Sequence, residues 1–553
     1  MANFTKKDPD AQIHPFLPEL KNQFTSKCIS RREFLRTAAL LGMSTAAATI
    51  FVSPFGKPPA VASVLPKRGG VWKCAMSVKR MDHPARLSWA EGGNYIRAIC
   101  DYLTNTGPDN ITRPMLLEKW TVSEDLKTWD LFLKKGIKFN NGDFLTADDV
   151  MFTMEQWLTK DVGSSMFGLL SYWGGYQNVE KLDDHRIRLH LDRANIGVPE
   201  HLFNYPAAIL HREFEGDILK KPVGTGPFTL KEFSPGERAI FQARQDYWQK
   251  GADGKSLPYI DQIIYLEMAK DAAIAALSAN QVDSVFKARP ADVMAARGLP
   301  HVGIHSVDTA NTYVVRMRVD QAPWDDNRVR TAMKMCQDRA KTLKLAAMGE
   351  GLLGIDAHVS PAHPEWCEKP IPKYDPQKAL SLLKQYANEK GLELPLKVTL
   401  ATKNDTHEPD IAQSVKQLAK EGGFDIQLDI TEPSKYWNRW TQVSFGITSW
   451  SHRPLAIMLL PLGYTKAAIG AWNETHWYDD EFEAQLGVAE KILDPKDRSK
   501  VMCKVEDIMQ ERGPVAINYY YKWYELSNKK FQGVVPHPSM YHDFAKDMWI
   551  DEG

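Results

Sequence analysis

The sequence predicts an α/β fold, and three features lead to this prediction. Short apolar strand patterns alternate along the chain with longer segments of helical spacing. Residues that cap helices stand at the start of the helical segments. The length of 553 residues exceeds that of a typical single domain, so we expect more than one structural unit.

Two helices are predicted from their N-terminal signals. Thr146 with Asp149 three residues later is a capping-box pattern, and apolar residues follow it at helical spacing up to Leu158. Asp375 is a cap and Pro376 suits the first helical position of the second helix. The inward face of this second helix is expected to hold Ala379, Leu382, Leu383 and Tyr386.

A third helix is predicted over residues 324–343, with Asp326 as a possible cap. Its inward face is expected to hold Val329, Met333, Cys336 and Ala340.

Strands are predicted where short runs of apolar and β-branched residues lie between these helices. The segment that opens with Phe445, Ile447 and Trp450 has the pattern of a buried strand. A turn at 224–228 is predicted to precede a strand over 228–233. The Gly-x-Gly of this turn is not followed by the helix that a phosphate-binding site needs. Further strands are predicted at 260–268, 312–319, 394–402 and 424–430.

The N-terminus is predicted to carry an export signal. Residues 30–53 contain Ser-Arg-Arg-x-Phe-Leu and then a short, soft apolar run, and residues 60–62 offer a small-x-small cleavage site. The pattern closely resembles a twin-arginine signal, so we expect residues 1–62 to be a signal peptide cleaved near Ala62 and the mature protein to be periplasmic. A membrane-anchored N-terminus is the alternative, although the run is too short for a good span.

Charge and cysteine content narrow the class of protein. Basic and acidic residues balance at 69 each, which argues against a nucleic-acid partner. No two cysteines have Cys-x-x-Cys spacing, so neither a zinc site nor a redox motif is indicated. One disulfide, or buried free thiols only, remain open for the mature chain. Its cysteines are Cys74, Cys100, Cys336, Cys367 and Cys503.

The sequence lacks the common motifs of catalysis. The sequence has no Gly-x-Ser-x-Gly elbow and no His-Glu-x-x-His, and Gln249 stands where a phosphate loop ending at Ser256 requires glycine. The histidines are scattered rather than clustered. We therefore expect no enzyme, no catalytic residues, no cofactor and no metal ligands.

Long blocks of the chain resemble one known family. Residues 114–153 carry Trp120, Trp129, the run 135–139, Gly142 and the run 146–150, in the order typical of the family 5 extracytoplasmic solute-binding proteins. These are the binding components of peptide, oligopeptide and nickel ABC importers. Further blocks of similarity follow in order at 222–248, 257–268, 273–283, 319–339, 374–386 and 498–521.

The resemblance implies a two-lobed periplasmic-binding-protein fold with a hinge and a small inserted domain. Such a protein captures a peptide-like or other small polar solute by closing its lobes, and its partners are a permease and an ATPase. A non-transport periplasmic receptor or chaperone, or a secreted enzyme on the same scaffold, is the alternative. The expected domains are lobe I at 63–107, 219–318 and 516–553, the inserted domain at 108–218, and lobe II at 319–515.

The segment after Trp450 departs from the peptide-binding relatives, which usually carry an acidic residue soon after this tryptophan. This chain has Ser451, His452, Arg453 and Pro454 there. A guanidinium offers a planar fork of donors matched to carboxylate or phosphate. We expect Arg453 to meet an anionic or oxygen-rich group of the ligand, with His452 as a further donor and Trp450 as a stacking face.

Tryptophans cluster around this segment, and the resemblance implies a cleft lined by aromatic side chains. Trp437, Trp440, Trp472 and Glu474 are expected to join Trp450 as ligand-binding residues. Ordinary core packing is the alternative for each tryptophan, Trp477 among them. Pairing of Arg453 with Glu474 or with Asp479 is the alternative for the arginine.

Overall fold

The structure is a computed structural model that describes residues 65–551. The predicted signal segment 30–53 and the cleavage site at 60–62 lie outside the described residues. Three larger β-sheets, which we call sheets I, II and III, organise the described chain, and helices pack against them.

Sheet I is a mixed sheet of seven strands. Its central strand Val71–Ala75 runs parallel to two neighbours, Gln262–Leu266 and Ser284–Val285. The remaining pairings are antiparallel. In spatial order the strands are Val302–Val307, Trp523–Asn528, Ser284–Val285, Val71–Ala75, Gln262–Leu266, Arg238–Ala243 and Phe228–Ser234.

Sheet II has six strands, and both of its faces are covered. Neighbouring residues Val314 and Val315 belong to different apolar clusters, because successive side chains of a strand point to opposite faces. In spatial order the strands are Gly351–Leu353, Val515–Tyr521, Thr312–Met317, Phe445–Trp450, Leu396–Lys403 and Phe424–Thr431.

Sheet III is a small antiparallel sheet, and two ribbons of two strands accompany it. One apolar cluster joins residues of sheet III to residues of sheet I and of the C-terminal segment. The strands of sheet III, in spatial order, are Leu117–Val122, Thr128–Leu133, Arg186–His190 and Val179–Asp183. The ribbons pair Thr104–Thr106 with Thr112–Pro114, and Phe531–Gln532 with Trp549–Ile550.

The α-helices range from one turn to five turns. In chain order they are Ala90–Ile99, Ala147–Leu158, Met166–Leu169, Val198–His201, Lys270–Ser278, Pro290–Ala296, Asn327–Met335, Arg339–Ala347, Pro376–Lys390, Glu408–Ala419, Pro433–Trp437, Leu460–Tyr464, Asp480–Ala489 and Pro495–Arg512. Short 3₁₀ turns are found at Pro84–Arg86, Lys160–Val162, Ser171–Trp173, Tyr176–Asn178, Trp440–Gln442, Ala456–Met458, Lys466–Ala468 and Asp543–Lys546. In residues 65–551 no helix combines the length and apolar composition that crossing a bilayer requires.

The local helix and strand signals are largely confirmed. The Thr146 N–H donates to the Asp149 carboxylate at 2.9 Å, which closes the capping box of Ala147–Leu158. The Asp375 carboxylate accepts the Lys378 N–H at 2.9 Å at the start of Pro376–Lys390. Of the predicted inward face of that helix, Leu382 is only half-buried. Each predicted strand segment contains an observed strand.

The helix predicted over 324–343 is wrong in its second half. Asp326 caps Asn327–Met335 as expected, but the helix ends there. Asp338 then caps a separate helix, Arg339–Ala347, by accepting the Lys341 N–H. The new start shifts the helical phase, and Ala340 is exposed rather than inward.

The chain passes between sheets I and II at two neighbouring points. Residues 308–311 lead from Val302–Val307 to Thr312–Met317, and Lys522 alone separates Val515–Tyr521 from Trp523–Asn528. An ion pair of 3.2 Å joins Lys522 to Asp308 across the two connections. Short adjacent connections of this kind suit a hinge.

One disulfide, Cys367–Cys503, closes a loop of the sheet II region. It links the segment before Pro376–Lys390 to the long helix Pro495–Arg512. Cys74, Cys100 and Cys336 are free and buried. Of the two possibilities that the sequence left open, one disulfide is therefore found, and the other three cysteines of residues 65–551 are buried free thiols.

Candidate functional site

The parallel strands of both sheets point their carboxyl ends at one cleft. In sheet II, Leu396–Lys403 runs parallel to Phe424–Thr431 and Phe445–Trp450. In sheet I, Val71–Ala75 runs parallel to its two neighbours. Ligands of α/β proteins bind outside the carboxyl ends of such strands, so these two edges are where a site is expected.

A cleft lies where the two edges meet. Its open space is about 720 Å³, counting the solvent-filled mouth. Lys287 and Arg289 line it from sheet I, directly after Val285, and His407 lines it from sheet II, after Lys403. The rings of Tyr313, His407 and Tyr521 stack on one another with centroids 5.3–5.7 Å apart. Tyr313 and Tyr521, on the two strands next to the connections between the sheets, thus form an aromatic floor of the cleft together with His407.

Four of the predicted tryptophans form a continuous row beyond the carboxyl edge of sheet II. Ring centroids are 5.6 Å apart for Trp437 and Trp440, 5.9 Å for Trp440 and Trp472, and 5.8 Å for Trp472 and Trp450. Trp437 and Trp472 are 39% and 51% exposed, whereas Trp450 is buried at the base. Exposed indoles in a row are able to stack against a ligand.

Trp477 does not belong to this row. It is buried, and its ring packs against Tyr464 at 6.5 Å and Phe482 at 5.1 Å. Trp477 is therefore a residue of the apolar core.

Glu474 is buried and fully engaged with protein groups. Its carboxylate forms an ion pair of 2.7 Å with Arg316 and accepts hydrogen bonds from the Thr448 hydroxyl at 2.6 Å and the Trp450 indole N–H at 3.2 Å. Arg316 in turn donates to the Trp440 carbonyl at 2.5 Å. Glu474 and Arg316 therefore fix the positions of two tryptophans of the row.

His452 is also engaged with protein groups through both ring nitrogens. Nδ1 accepts the Ala310 N–H at 3.0 Å, so Nε2 carries the proton and donates to the Asn110 side-chain oxygen at 3.0 Å. Asn110 donates onward to the Ala362 carbonyl at 2.8 Å. Burial lowers the pKa of His452 well below its ordinary value, so the ring is neutral. The ring ties the segment around Asn110 to the carboxyl end of Phe445–Trp450.

Arg453, unlike Glu474, makes no ion pair with any residue in the range 65–551. The residue as a whole is half-buried, and within the described residues its guanidinium donates only to the adjoining His452 carbonyl, at 3.1 Å. The two carboxylates considered as partners pair elsewhere, Glu474 with Arg316 and Asp479 with Arg512. Burial lowers the pKa of Arg453, which means that its surroundings disfavour the positive charge.

Two tyrosines that the sequence did not single out act on Arg453 electrostatically. Burial lowers the pKa of Arg453, and Tyr205 and Tyr541 oppose this shift. Burial raises the pKa of Tyr205, and it raises the pKa of Tyr541 to about 12, so both hydroxyls are neutral donors. They come from distant segments and no motif marks them. At Gly93 a Cβ atom would lie 2.9 Å from the Tyr205 Cβ, so glycine leaves room for Tyr205 there.

Comparison with known families gives one match over most of the chain. Residues 112–457 match the model described as bacterial extracellular solute-binding proteins, family 5 middle. The di/tripeptide-binding protein 3 of Pseudomonas aeruginosa (strain UCBPP-PA14) is 26% identical over 455 residues, which cover 75% of this chain and 82% of that protein.

Solved structures share the fold. HbpA2 from Haemophilus parasuis superimposes with a TM-score of 0.76 at 20% identity, covering 87% of this chain and 100% of that one. AgaA from A. tumefacien R10, in complex with agropinic acid, gives a TM-score of 0.68 at 18% identity and covers 88% of this chain and 99% of that one. The predicted mixed α/β periplasmic-binding-protein fold is therefore confirmed.

Proposed function

Because the chain belongs to the bacterial extracellular solute-binding proteins of family 5, we propose that it captures an anionic solute in its cleft and presents it to an ABC permease. Proteins of this family bind solutes and are not enzymes, and the chain is the substrate-binding protein of an importer. A permease and an ATPase are its proposed partners.

The hinge supports a capture mechanism by closure. Residues 308–311 and Lys522 are the two connections between sheets I and II. A ligand that contacts both edges of the cleft has its full set of contacts only when the sheets approach each other. Binding therefore shifts the population toward the closed form, which the permease recognises.

The observation that carries the ligand class is the unpaired Arg453. A buried or half-buried cation is normally paired, because removing a charge from water is unfavourable unless an opposite charge compensates it. Among residues 65–551 no carboxylate performs this role for Arg453. We assign the role to a carboxylate or phosphate of the ligand, with the neutral hydroxyls of Tyr205 and Tyr541 as further donors.

The aromatic row would supply the apolar wall of the site. Trp437, Trp440 and Trp472 are proposed to contact the ligand, with Trp450 at their base. Glu474 and His452 are proposed to act by holding these groups and the loop of Arg453 in place, because their polar atoms already bond to protein.

Simple peptide recognition through a free α-amino group is not what this site favours. The relative from Pseudomonas aeruginosa is named for di- and tripeptides. In this chain the loop after Trp450 offers His452 and Arg453 in place of an acidic group. We therefore propose that the ligand presents its anionic end, rather than its amine, to this loop.

A ligand panel tests the proposal. Thermal-shift measurements of the mature protein with acidic opines, phosphorylated sugars, modified peptides and ordinary dipeptides should show stabilisation by an anionic compound. Tryptophan fluorescence should change with the same compound, since two indoles of the row are exposed. Tight binding of plain dipeptides, with no response to any anionic compound, would overturn the anionic class.

Two alternatives are separated by simple assays. If genes for a permease and an ATPase lie beside the gene for this protein, the importer is favoured over a non-transport receptor or chaperone. Turnover of peptide or ester libraries by the purified protein would identify an enzyme, and we expect none.

Export is proposed to follow the twin-arginine route, with cleavage near Ala62. The Arg31–Arg32 pair and the apolar run after it support this route. Replacing both arginines by lysine should leave precursor in the cytoplasm, as measured by cell fractionation. Continued export of this variant would exclude the route.

A further inference from the structure

A second group of chemically active side chains lies away from the cleft, in the interior beneath sheet I. Cys74 belongs to the central strand Val71–Ala75, Glu525 to Trp523–Asn528, and His542 to the C-terminal segment. Their thiol, carboxylate and imidazole atoms all lie within 4.8 Å of one another. All three residues are buried, with 5% exposure or less. The proposed solute capture uses none of them.

Strand register explains how distant residues converge here. Cys74 stands opposite Ser284 across one strand pair, and Ser284 stands opposite Ser527 across the next. Glu525 lies two residues from Ser527, on the same face of its strand, because side chains alternate between faces. The C-terminal segment then places His542 over this face.

The imidazole is oriented toward the group and has a free nitrogen. The Nδ1 atom of His542 shares a hydrogen bond of 3.1 Å with the Tyr265 hydroxyl. Its Nε2 atom is buried, makes no hydrogen bond within the described residues and lies 3.6 Å from Oε2 of Glu525. Metal-binding histidines are commonly held this way, with one nitrogen fixed by a hydrogen bond and the other left for the ion.

The carboxylate and the thiol are similarly disposed. Oε1 of Glu525 accepts a hydrogen bond from the Ser284 hydroxyl, which leaves Oε2 facing His542. The Cys74 sulfur lies 3.8 Å from the Ala75 carbonyl oxygen and is also hydrogen-bonded by the Ser284 side chain and the Phe286 N–H. Hydrogen bonds to sulfur are weak, so the thiol remains available as a ligand.

We propose that Cys74, Glu525 and His542 bind a zinc ion. Thiolate, carboxylate and imidazole are the ligands that zinc takes in proteins. Zinc bonds of about 2.0–2.3 Å place tetrahedral ligand atoms about 3.3–3.8 Å apart, and the Glu525–His542 separation of 3.6 Å falls in that range. A thiolate and a carboxylate together neutralise the divalent ion, which suits a buried site.

Aromatic rings enclose the site and give it a structural role. The rings of Trp72, Phe286 and Phe544 lie 5.1–5.4 Å from the His542 ring. This shell keeps water away and strengthens the attraction between ion and ligands. The ion connects the C-terminal segment to two strands of sheet I, so its binding stabilises the fold.

This site could not be predicted from the sequence, because its ligands are far apart along the chain. The expectation of no metal ligands rested on the lack of close cysteine or histidine spacing. A His542–Glu525 ion pair with no metal is the competing description of the same geometry.

Cobalt substitution tests the proposal on the intact mature protein, purified without a histidine tag. One equivalent of Co²⁺ should give a thiolate charge-transfer band, and Zn²⁺ should abolish it. Zn²⁺ should also raise the thermal midpoint of chelator-treated protein. Protein that binds neither ion and keeps its midpoint after chelation would overturn the proposal in favour of the ion pair.

Variants locate the ion. Cys74→Ser should remove the cobalt thiolate band, and His542→Gln should weaken zinc binding at least tenfold. Cys336→Ser is the matched control, because Cys336 is also a buried free thiol but lies outside this group. A band that persists in Cys74→Ser, or that disappears in Cys336→Ser, would contradict the assignment.

Discussion

Arg316 and Arg453 lie near opposite ends of two neighbouring strands of sheet II, yet their surroundings differ completely. Arg316 is fully buried, pairs with Glu474 at 2.7 Å and donates to backbone carbonyls. Arg453 donates to one carbonyl and pairs with no carboxylate among residues 65–551. The protein compensates the charge of Arg316 internally, and we propose that a ligand compensates the charge of Arg453.

This difference explains why the two arginines should respond differently to mutation. Removing one member of a buried ion pair leaves the other charge uncompensated, which is strongly destabilising. Removing a cation that has no partner relieves an unfavourable burial instead. The effect of removing the Arg316 pair is therefore measured as a change in stability, and the effect of removing Arg453 as a change in ligand affinity.

The largest expected effect is on the paired arginine. Glu474→Gln should lower the free energy of unfolding by about 3–5 kcal/mol, because Arg316 is then buried without a counter-charge. Urea denaturation measures this change. Glu232→Gln is the control, since its pair with Arg238 is exposed and such pairs contribute only about 0–1 kcal/mol. Equal effects of Glu474→Gln and Glu232→Gln would contradict the view that the Arg316–Glu474 pair is structurally important.

Acid should affect the neutral histidines around the tryptophans and Arg453. Burial lowers the pKa of His363 to about 4 and of His358 to about 3. The unfolded chain binds these protons near pH 6.5, so the stabilising contribution is complete above that pH and is lost as pH falls toward 4. Each histidine should lower the free energy of unfolding by up to about 1.4 kcal/mol per pH unit in this window.

A buried carboxyl group makes stability depend on pH in the opposite direction. Burial raises the pKa of Glu506 to about 8, so its contribution is complete below about pH 4.5 and is lost as pH rises through 8. Urea denaturation between pH 4 and 8 in wild type, His363→Gln and Glu506→Gln separates the two slopes. An acid slope that is unchanged in His363→Gln would exclude this account of the histidine.

A smaller effect is expected from the contact between Asn110 and His452. Asn110→Ala leaves the His452 N–H buried without an acceptor, so it should lower the free energy of unfolding by about 1–3 kcal/mol. The substitution should leave the Arg316–Glu474 pair intact. Near-ultraviolet circular dichroism of the tryptophans checks this, and a lost signal would show that the row depends on Asn110.

Local features of the fold could be predicted from the sequence, because their signals lie within a few residues. The capping box of Thr146 and Asp149 and the cap at Asp375 are examples. The break before Arg339–Ala347 was missed because the apolar spacing continues through Asp338, which caps a new helix. Lobe II was predicted at 319–515, and the strands of sheet II include Thr312–Met317 and Val515–Tyr521, which extend beyond these limits. The limits of the domains stay a prediction.

The candidate site could be predicted only in part. The tryptophan row follows from residues that lie close together in sequence. The partner of Glu474 could not be predicted, because Arg316 comes from a strand far away in sequence. The electrostatic effect of Tyr205 and Tyr541 on Arg453 likewise depends on tertiary packing, as does the pairing of Cys367 with Cys503.

Calorimetric titration of Arg453→Ala with the ligand found in the panel tests the central claim most directly. A hydrogen bond to a charged group contributes about 1.5–3 kcal/mol, so the substitution should weaken binding about ten- to a hundred-fold while the unliganded protein keeps its stability. Arg453→Lys should lie between wild type and alanine, because lysine keeps the charge but not the planar fork. Unchanged affinity in Arg453→Ala would contradict the account.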